Sequence, residues 1–342
     1  MAVKLIIEPL FEADFCDTSY GFRPQKSAHE AVDAIADTLH QRYTHVIDAD
    51  LSKYFDTIPH AKLMAVVAER IVDGAILEIL QKWLKATVIE EDEIGKRRTI
   101  GGGKGNRRGT PQGGVISPLL ANLYLHLLDR IWERDNIAQR YGARIVRYAD
   151  DLVILCKGDI TKPLALLKQI LEQLGLTLNE TKTHTVNAFQ GPFDFLDFSP
   201  QMRRGQTSGK WYPHTEPSGK SIQRIKEKVT SLTDRRLTPV PLDNLTETLN
   251  RSLSGWCNYF HYRNSSRALE KVKNHTEERM RTHLRRFTRS VLYNHYGLYP
   301  VPTYAKWKRN ALYKKDIGKP CTGEPYARFD EGGQGLIPAL YS

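Results

Sequence analysis

Hydrophobic and polar residues alternate from residue 45 to 51, in the segment HVIDADL. Side chains of an extended strand point alternately to opposite faces, so the pattern predicts a strand with Asp48 and Asp50 on one face and apolar residues on the other. Two further short apolar runs, 144–148 and 152–155, are separated by only three residues. That spacing predicts two strands joined by a tight turn in a β-hairpin.

Helical patterns follow the predicted strands and dominate the second half of the chain. Ser117 and Pro118 precede the apolar segment LLANLYLHLLDRIW. Serine is a common helix cap and proline favours the first helical position, so a buried helix is expected there. A helix over 163–174 is predicted to end at Gly175. Three further helical segments are rich in Lys and Arg: 222–232, 242–258 and 267–296.

Composition divides the chain into four parts, without an internal repeat. Residues 1–200 mix strands with helices and are predicted to form one domain of α and β elements. Residues 201–221 are rich in Gly, Ser, Thr, Lys and Pro, which predicts a linker. Residues 222–313 are predicted to form a helical domain. Residues 314–342 are rich in Gly and Pro and are expected to be a loose tail.

Overall composition excludes several classes of protein. The 342 residues are 40% hydrophobic, which is enough for two packed cores and argues against global disorder. No apolar run approaches the roughly 20 residues of a membrane span, and Glu8 and Pro9 interrupt the N-terminal apolar run. Neither a membrane partner nor a signal peptide is therefore expected. The four cysteines form no CxxC pair, which favours a reducing, cytoplasmic location.

Positive charge is concentrated in the C-terminal third of the chain. Residues 203–309 contain 22 Lys and Arg against 8 Asp and Glu, a net charge of +14. Because the whole chain carries +11, the remainder carries −3. This asymmetry favours a polyanionic partner, with nucleic acid as the leading candidate. A solvated basic surface without a partner is the alternative.

Two adjacent carboxylates, Asp150 and Asp151, lie at the turn of the predicted hairpin. Like charges repel, so such a pair needs either nearby cations or full solvent. A plain acidic surface turn meets the second condition and a metal site meets the first. Asp48 and Asp50 supply a second acidic strand, and a set of three carboxylates on two adjacent strands would suit two Mg²⁺ ions.

Six motifs give the chain a resemblance to the reverse transcriptases of bacterial group II introns. YADD resembles the active-site turn of that family, and HVIDADLSKYFDTIPH resembles its first catalytic strand. GTPQGGVISPLLANLYLHLLD is similar to the nucleotide-facing loop and the helix that follows it. The remaining blocks occur in the family's order, although Asp197 stands where glycine is usual: SYGFRPQKSAHEA, GLTLNETKTH and FDFLDF.

The resemblance implies an α+β fold, a right-hand polymerase with a palm, partial fingers and an all-helical thumb or maturase domain. It implies an RNA-directed DNA polymerase that uses two Mg²⁺ ions, deoxynucleoside triphosphates, an RNA template and a DNA primer or target. Periodicity leaves Asp48 and Asp50 equivalent, whereas the family pattern aligns Asp50 with the metal ligand. Asp50, Asp150 and Asp151 are therefore the expected catalytic and metal-binding residues.

Nucleotide-binding residues follow from the same blocks. Phe55 matches the steric gate, a ring placed against C2′ of the sugar that excludes a ribose 2′-hydroxyl; a core phenylalanine is the alternative. Gln112 and Gly113 belong to the nucleotide-facing loop, where glycine permits close backbone approach. Lys182 falls in the block that carries a lysine near the primer or nucleotide, and a plain surface lysine is nearly as good a reading.

RNA binding is expected mainly from the basic C-terminal region. SLSGWCNYFHYRNSSRALEKV resembles the maturase-specific domain, which would bind the parent intron and assist its splicing and mobility. Its aromatic residues have mainly helical spacing, which favours a core role over base stacking. Basic residues are the better RNA candidates: Arg23, Lys104, Arg107, Arg108, Arg263, Arg267, Lys271, Lys273, Arg279, Arg281, Arg285 and Arg286. For Arg23, pairing with an acid is the alternative to a contact with template phosphate.

The sequence shows no counterpart, before SYGFRP, of the family's first fingers block, which carries basic residues for the triphosphate; either the true start lies upstream or the gene is truncated. Polymerase activity is expected to suffer from that loss. Two alternatives therefore stay open at this stage. One is a maturase that acts only in splicing, with an impaired polymerase. The other is a reverse transcriptase recruited to phage defence or to a CRISPR system.

Overall fold

The computed structural model describes residues 1–91, 97–111 and 113–295. Strands and helices are mixed up to residue 217, and the described chain after that point is helical, which confirms the predicted α+β class. The α-helices are α1 (Ala2–Glu12), α2 (Ala28–His40), α3 (Tyr54–Thr57), α4 (His60–Ala68), α5 (Gly74–Leu84), α6 (Ser117–Arg134), α7 (Ile137–Tyr141), α8 (Thr161–Leu174), α9 (Gly219–Leu232), α10 (Leu242–Phe260) and α11 (Ser266–His295).

Eight strands in the described residues form three sheets. They are β1 (His45–Ala49), β2 (Val88–Glu91), β3 (Arg97–Gly101), β4 (Ala143–Tyr148), β5 (Asp151–Cys156), β6 (His184–Asn187), β7 (Phe198–Arg204) and β8 (Trp211–Pro217). The main sheet has the order β4-β5-β1-β6, and every neighbouring pair is antiparallel. The pairs β2–β3 and β7–β8 make two separate two-stranded sheets.

The main sheet packs one face onto a large apolar core. Ile47 of β1, Ile145 of β4 and Ile154 of β5 belong to this core, together with buried residues of α6 such as Leu120 and Leu128. The alternation predicted for residues 45–51 is therefore confirmed. The sheet and the helices behind it form the palm that the resemblance implies.

The ends of α6 and α8 test two of the predicted caps. Helix α8 ends at Gly175, which has a left-handed φ of +73°, as glycine after a helix commonly does. Helix α6 begins at Ser117 with Pro118 in its first turn, but the cap position is Ile116 and no side chain caps the helix. The Ser117 hydroxyl instead donates to the Pro111 carbonyl over 2.7 Å, so the predicted serine cap is wrong.

Residues 201–221 form regular structure, although the sequence predicts a linker. They contain part of β7, all of β8 and the start of α9. Pro200 and Pro213 lie inside the strands. Because proline removes a hydrogen-bond donor, it weakens the sequence signal for a strand. Phe198 and Met202 are buried, and so are the polar residues Thr215, Ser218 and Ser221, whereas the turn residues 206–210 are exposed.

The chain forms two compact units. The first comprises Met1–Leu196 and Gln201–Pro213, and among the described residues the second comprises Asp197–Pro200 and residues 214–295. In the second unit α9, α10 and α11 pack around a core that includes Val229, Leu249 and Met280.

The aromatic residues of α10 serve that second unit as core residues. Phe260 is buried, and Trp256 packs against the helical core and donates its indole N–H to Ser221 Oγ over 3.1 Å. The Phe198 ring lies 5.2 Å from the Phe260 ring, between centroids. The core role predicted for the aromatic residues is thus confirmed for Trp256 and Phe260.

Membrane-spanning helices and the state of the cysteines were two questions raised by the composition. No helix in the described residues is long and apolar enough to cross a membrane. Cys16, Cys156 and Cys257 are free and buried, and burial raises the pKa of each thiol to about 12. These thiols therefore stay protonated and behave as small core residues.

Candidate active site

Three acidic residues meet at one edge of the main sheet. Ala49, the last residue of β1, pairs with Leu152 of β5. Because these strands are antiparallel, continuing the register by one residue takes Asp50, which follows β1, toward Asp151 at the start of β5. Asp150 immediately precedes that strand, so the sheet brings Asp50, Asp150 and Asp151 to the same edge.

The position of Asp48 distinguishes it from Asp50. Asp48 pairs with Val153 on one side and with His184 on the other, so it lies within the sheet rather than at its edge. Asp50 lies beyond the last pair, and its side chain is 36% exposed. This placement supports Asp50 as the ligand and leaves Asp48 as a neighbour.

A two-residue turn carries Asp150. Tyr148 and Asp151 form the last pair of β4 and β5, and Ala149 and Asp150 connect them. Ala149 has a φ of +56°, and a positive φ at the first loop position is typical of the tight turns that join hairpin strands. Ala149 is only 8% exposed, whereas Asp150 is partly exposed and Asp151 is exposed.

The GLTLNETKTH segment runs alongside Asp50 and holds its backbone. The Asp50 carbonyl accepts the N–H of Asn179 over 2.8 Å, and the Asp50 N–H donates to Thr183 Oγ1 over 3.4 Å. Lys182 lies between these two contacts, and its Nζ is 3.8 Å from Asp50 Oδ2. The predicted lysine therefore adjoins Asp50, and its positive charge lies close to that carboxylate.

Phe55 lies in the short helix α3, five residues after Asp50. It is half-buried against the palm core, and its carbonyl accepts the N–H of Thr110 over 2.7 Å. Burial raises the pKa of the adjacent Tyr54 well above its usual range, so its hydroxyl stays protonated and donates to the Ala121 carbonyl over 2.6 Å. The backbone contact with Thr110 and the anchored Tyr54 thus fix the position of Phe55, which stays partly exposed.

The nucleotide-facing loop lies against the turn that precedes α4. Gly109 has a φ of +87°, and a Cβ there would lie 2.9 Å from the Asp56 carbonyl oxygen, which explains the need for glycine. Gly113 has a φ of +83°, but a Cβ there would meet open space, so its surface is free for a ligand. Gln112 lies outside the described residues.

The donor chemistry of the acidic edge fits a divalent metal. Carboxylate oxygens are hard ligands that suit Mg²⁺, and the three side chains reach solvent from adjacent backbone positions. Within the described residues, however, no three His, Cys, Asp or Glu side chains form a group that could hold a metal ion. The backbone thus assembles the carboxylates at one edge without closing them around one point.

A buried ionic network lies directly beneath the turn, and the motif analysis did not predict it. Arg147 of β4 and Asp129 of α6 are both fully buried, and their closest nitrogen and oxygen are 2.5 Å apart. The Arg147 guanidinium also donates to Asn122 Oδ1 and to the Ala149 carbonyl, each over 3.0 Å. The Asn122 amide in turn donates to the Gly21 carbonyl. The sequence does carry a signal for this network, an arginine within the apolar run IVRY and an aspartate within an apolar helix.

The SYGFRP segment packs against the same turn. The Tyr20 N–H donates to the Arg147 carbonyl over 2.8 Å, and the Arg147 N–H donates to the Thr18 carbonyl over 2.9 Å. A Cβ on Gly21 would lie 2.2 Å from the Ala149 nitrogen, so only glycine allows this approach. The first motif of the chain therefore supports the active-site turn.

Arg23 of the same segment has an internal role. Its guanidinium is 5% exposed, lies 2.6 Å from Glu12 and donates to the carbonyls of Cys16 and Ser19, each over 2.7 Å. These contacts use the groups that a phosphate would need. The predicted RNA contact at Arg23 is therefore replaced in this structure by a link between α1 and the SYGFRP segment.

The other predicted RNA-binding residues of the first unit are available. Lys104, Arg107 and Arg108 are all exposed, in the loop between β3 and the nucleotide-facing glycines. The backbone of this loop is anchored, since the His60 N–H donates to the Arg107 carbonyl over 3.0 Å. A loop with a held backbone and three exposed cations is suited to phosphate groups.

Four of the predicted residues form one stripe along α11. Arg267, Lys271, Arg281 and Arg285 are exposed, and at about 100° per residue their positions fall within one narrow arc of the helix. Glu278 lies inside this stripe and lowers its net charge.

The remaining predicted basic residues, in α11 and in the segment just before it, are less exposed. Arg263, Lys273 and Arg286 are half-buried. Arg279 faces α9, where its guanidinium donates to Thr233 Oγ1 over 3.0 Å and to the Thr230 carbonyl over 3.3 Å. Arg279 therefore joins two helices, unlike the exposed residues of the stripe.

Comparisons with known proteins agree with the motifs. Residues 1–215 match the family described as reverse transcriptase (RNA-dependent DNA polymerase), and residues 222–295 match the group II intron, maturase-specific domain. Protein YkfC of Escherichia coli (strain K12) is 34% identical over 223 residues, 54% of this chain and 56% of that protein. The group II intron-encoded protein LtrA of Lactococcus lactis subsp. cremoris is 38% identical over 275 residues, 61% of this chain and 44% of that protein.

The chain spans about half the length of these curated relatives. Among solved structures, apo telomerase from Candida tropicalis aligns with a TM-score of 0.46 and 12% identity over 84% of this chain and 54% of that chain. A score of this size carries no conclusion about this chain. The first family match, however, covers well over half of the residues, so the chain belongs to the reverse transcriptase family, and its two matched domains are those of a group II intron reverse transcriptase and maturase.

Proposed function

We propose that this chain is an RNA-directed DNA polymerase whose active site is the acidic edge of the palm sheet. The observation that carries the proposal is the β1–β5 register, which sets Asp50 beside Asp151, with Asp150 in the adjoining turn. In the proposed reaction the 3′-hydroxyl of a DNA primer attacks the α-phosphorus of a deoxynucleoside triphosphate. A new phosphorus–oxygen bond forms, and pyrophosphate leaves.

Asp50, Asp150 and Asp151 are the residues that would hold metal in this reaction. Reverse transcriptases are generally dependent on divalent metals, and two Mg²⁺ ions, when bound, would activate the hydroxyl and stabilise the leaving group. Lys182 would bind triphosphate oxygens, and the position of its ammonium, 3.8 Å from Asp50, supports this role. Its second contribution is to reduce the repulsion among the three carboxylates.

Selection of the nucleotide falls to Phe55 and the glycine-rich loop. The Phe55 ring would exclude a ribose 2′-hydroxyl by collision. Gly113 offers open backbone for an incoming nucleotide, and Gln112 would supply hydrogen bonds to nucleotide or template. These assignments share one support, the position of both segments within the chain's reverse transcriptase motifs.

RNA binding is the second proposed activity, and both proposed domains would contribute to it. In residues 1–200, the proposed fingers and palm domain, the loop with Lys104, Arg107 and Arg108 would bind template phosphates. In residues 222–313, the proposed thumb and maturase domain, the stripe on α11 would bind the parent intron and assist splicing and mobility. Free cysteines are compatible with the cytoplasmic location that these partners require.

Primer extension with the full chain tests the proposal. A DNA primer annealed to an RNA template is incubated with Mg²⁺ and deoxynucleoside triphosphates, and extension should stop when the metal is chelated. A DNA template and a metal-free reaction serve as controls. Binding of intron RNA without metal-dependent extension would overturn the polymerase assignment and support a maturase that acts only in splicing.

A further inference from the structure

We propose that Arg147, Asp129 and Asn122 are positioning residues that set the conformation of the Ala149–Asp150 turn and thereby aim the Asp150 and Asp151 carboxylates. This inference rests on the proposed function, because it assigns a purpose to residues that support the proposed metal ligands. None of the three residues would touch substrate. They would act through the backbone of the turn.

The first argument is the direction of the guanidinium contacts. Arg147 binds Asp129 through Nε and Nη2, with the shortest contact at 2.5 Å, and uses Nη1 for Asn122 and for the Ala149 carbonyl. One rigid planar group therefore joins helix α6 to the first residue of the turn. A guanidinium presents its donors in a fixed planar arrangement. The position of helix α6 therefore determines the direction in which the Ala149 carbonyl is held.

The second argument concerns the backbone of Ala149. A residue with a side chain is disfavoured in the left-handed region that Ala149 occupies at a φ of +56°. Such conformations persist where the surroundings over-determine them. Here the Arg147 side chain binds the Ala149 carbonyl from below, and Gly21 lies against its nitrogen.

The third argument is that stability alone does not require this ion pair. Burying two charges costs several kcal/mol per ion, and well-packed apolar residues often replace such pairs without loss of stability. Arg147 and Asp129 are nonetheless both fully buried in the apolar palm core. Apolar residues at these two positions could not hold the turn in a fixed orientation, whereas Arg147 and Asp129 can.

Asn122 extends the network to a second element. Its side-chain oxygen accepts from Arg147 over 3.0 Å, and its amide donates to the Gly21 carbonyl. Since Gly21 packs against Ala149, the turn is held both through its carbonyl and through this neighbouring segment. Loss of Asn122 should loosen the second of these supports while the ion pair remains.

The test uses the full chain and Mn²⁺ as a probe of the carboxylate site, with binding followed by electron paramagnetic resonance. Arg147→Lys keeps the charge beside Asp129, but one ammonium cannot span Asp129, Asn122 and the Ala149 carbonyl. We expect Mn²⁺ affinity to fall roughly 10- to 100-fold, as for other residues that orient metal ligands. Hydrogen exchange of the turn should become faster. Asn122→Ala should shift both readouts in the same direction.

Two controls separate positioning from other causes. Leu167→Ala opens a cavity in the same core, on α8, and should lower the melting temperature without changing Mn²⁺ affinity. Asp150→Asn removes a proposed ligand and should lower that affinity directly. In primer extension, Arg147→Lys should lower kcat and leave the KM for primer–template unchanged.

The possible failures are distinguishable. If Asp150→Asn weakens Mn²⁺ binding while Arg147→Lys and Asn122→Ala bind like the parent, the positioning role is wrong and the proposed active site stands. If Leu167→Ala weakens binding as much as Arg147→Lys at an equal loss of melting temperature, the effect is general destabilisation and the inference also fails. Unchanged binding by Asp150→Asn would overturn the proposed site together with the inference.

Discussion

Asp150 shows how a single side chain depends on its backbone. It is the second residue of a two-residue turn, between a strained Ala149 and the exposed Asp151. Replacing it with Asn retains the shape of the side chain and removes its charge. Little should change in the fold, because a partly exposed turn side chain contributes little to the apolar core.

We expect Asp150→Asn to lower the rate of DNA synthesis on a primed RNA template by roughly 10²-fold or more, because the loss of a ligand charge weakens metal binding. Single-nucleotide extension and a melting curve measure the two effects separately. Glu180→Gln is the control, since Glu180 is an exposed acid paired with Lys168 over 2.9 Å. Equal extension rates for Asp150→Asn and an active parent would remove Asp150 from catalysis.

Phe55 gives a second prediction about one side chain. Phe55→Val should raise incorporation of ribonucleotides relative to deoxyribonucleotides, because a smaller side chain leaves space for the 2′-hydroxyl. The ratio of kcat/KM for the two nucleotide types measures the change. Tyr54→Phe removes a buried hydroxyl from the next residue and should leave the ratio unchanged. An unaltered ratio in Phe55→Val would identify Phe55 as a core residue only.

Helix α11 combines an outer basic stripe with an inner apolar face. Met280 and Leu284 are buried in the core of the second unit, and His283 lies beside them, fully buried. Burial lowers the pKa of His283, and the positive charges of Arg286 and Arg279 lower it further, against the nearby backbone of Thr233, which raises it. The folded helix therefore carries a neutral histidine that an unfolded chain would protonate more readily.

This difference predicts a loss of stability in acid. The pKa of His283 is lower in the folded state, so its full contribution is present above the unfolded value of about 6.5 and declines as the pH falls below it. The slope attributable to one histidine is at most about 1.4 kcal/mol per pH unit. His283→Leu should make the melting temperature less dependent on pH between 7.5 and 5.5.

Leu284→Ala serves as the comparison for that experiment. It removes a buried side chain from the same helix and should lower the melting temperature by a similar amount at every pH. An unchanged pH slope in His283→Leu would show that other groups cause the acid sensitivity. Buried His126 and half-buried His261, whose pKa values partial or full burial also lowers, are the next candidates.

For the whole molecule, the uneven distribution of charge predicts the behaviour of RNA binding. Affinity for intron RNA should fall with salt, because each phosphate contact releases counterions. The double change Arg285→Ala with Arg286→Ala should reduce the slope of log affinity against log salt by up to about two. Filter binding over a range of salt concentrations measures the slope.

Two matched variants sharpen this measurement. Arg130→Ala with Arg134→Ala removes the same charge from residues already paired with Glu69 and Asp135, and it should leave the slope unchanged. Glu278→Gln removes the acid from the stripe on α11 and should raise affinity at low salt. RNA affinity that does not depend on salt would contradict the electrostatic interpretation.

Local patterns in the sequence were sufficient for several elements and for the family. Alternation over 45–51 predicted β1, the spacing around YADD predicted the β4–β5 hairpin, and Gly175 marked the end of α8. These features depend on contacts between residues that are close in sequence, or on one apolar face, and periodicity reports both directly. The motifs then identified the family, because their order and residue types are specific.

Contacts between distant residues required the tertiary structure. Periodicity left Asp48 and Asp50 equivalent, and only strand pairing shows which of them reaches the edge beside Asp151. The sequence left Arg23 either to contact a template phosphate or to pair with an acid, and only the tertiary structure shows its contact with Glu12. The serine cap of α6 was wrong because a loop carbonyl competes for the same hydroxyl.

The buried network illustrates the physical reason for this division. Arg147 and Asp129 are 18 residues apart, and Asn122 reaches Gly21 across 101 residues. No local preference records such pairs, because each residue alone would be more stable in water. Chain folding brings them together at one place, under the turn that carries Asp150. Residue types thus predicted the chemistry, whereas burial and long-range pairing determine how its carboxylates are held.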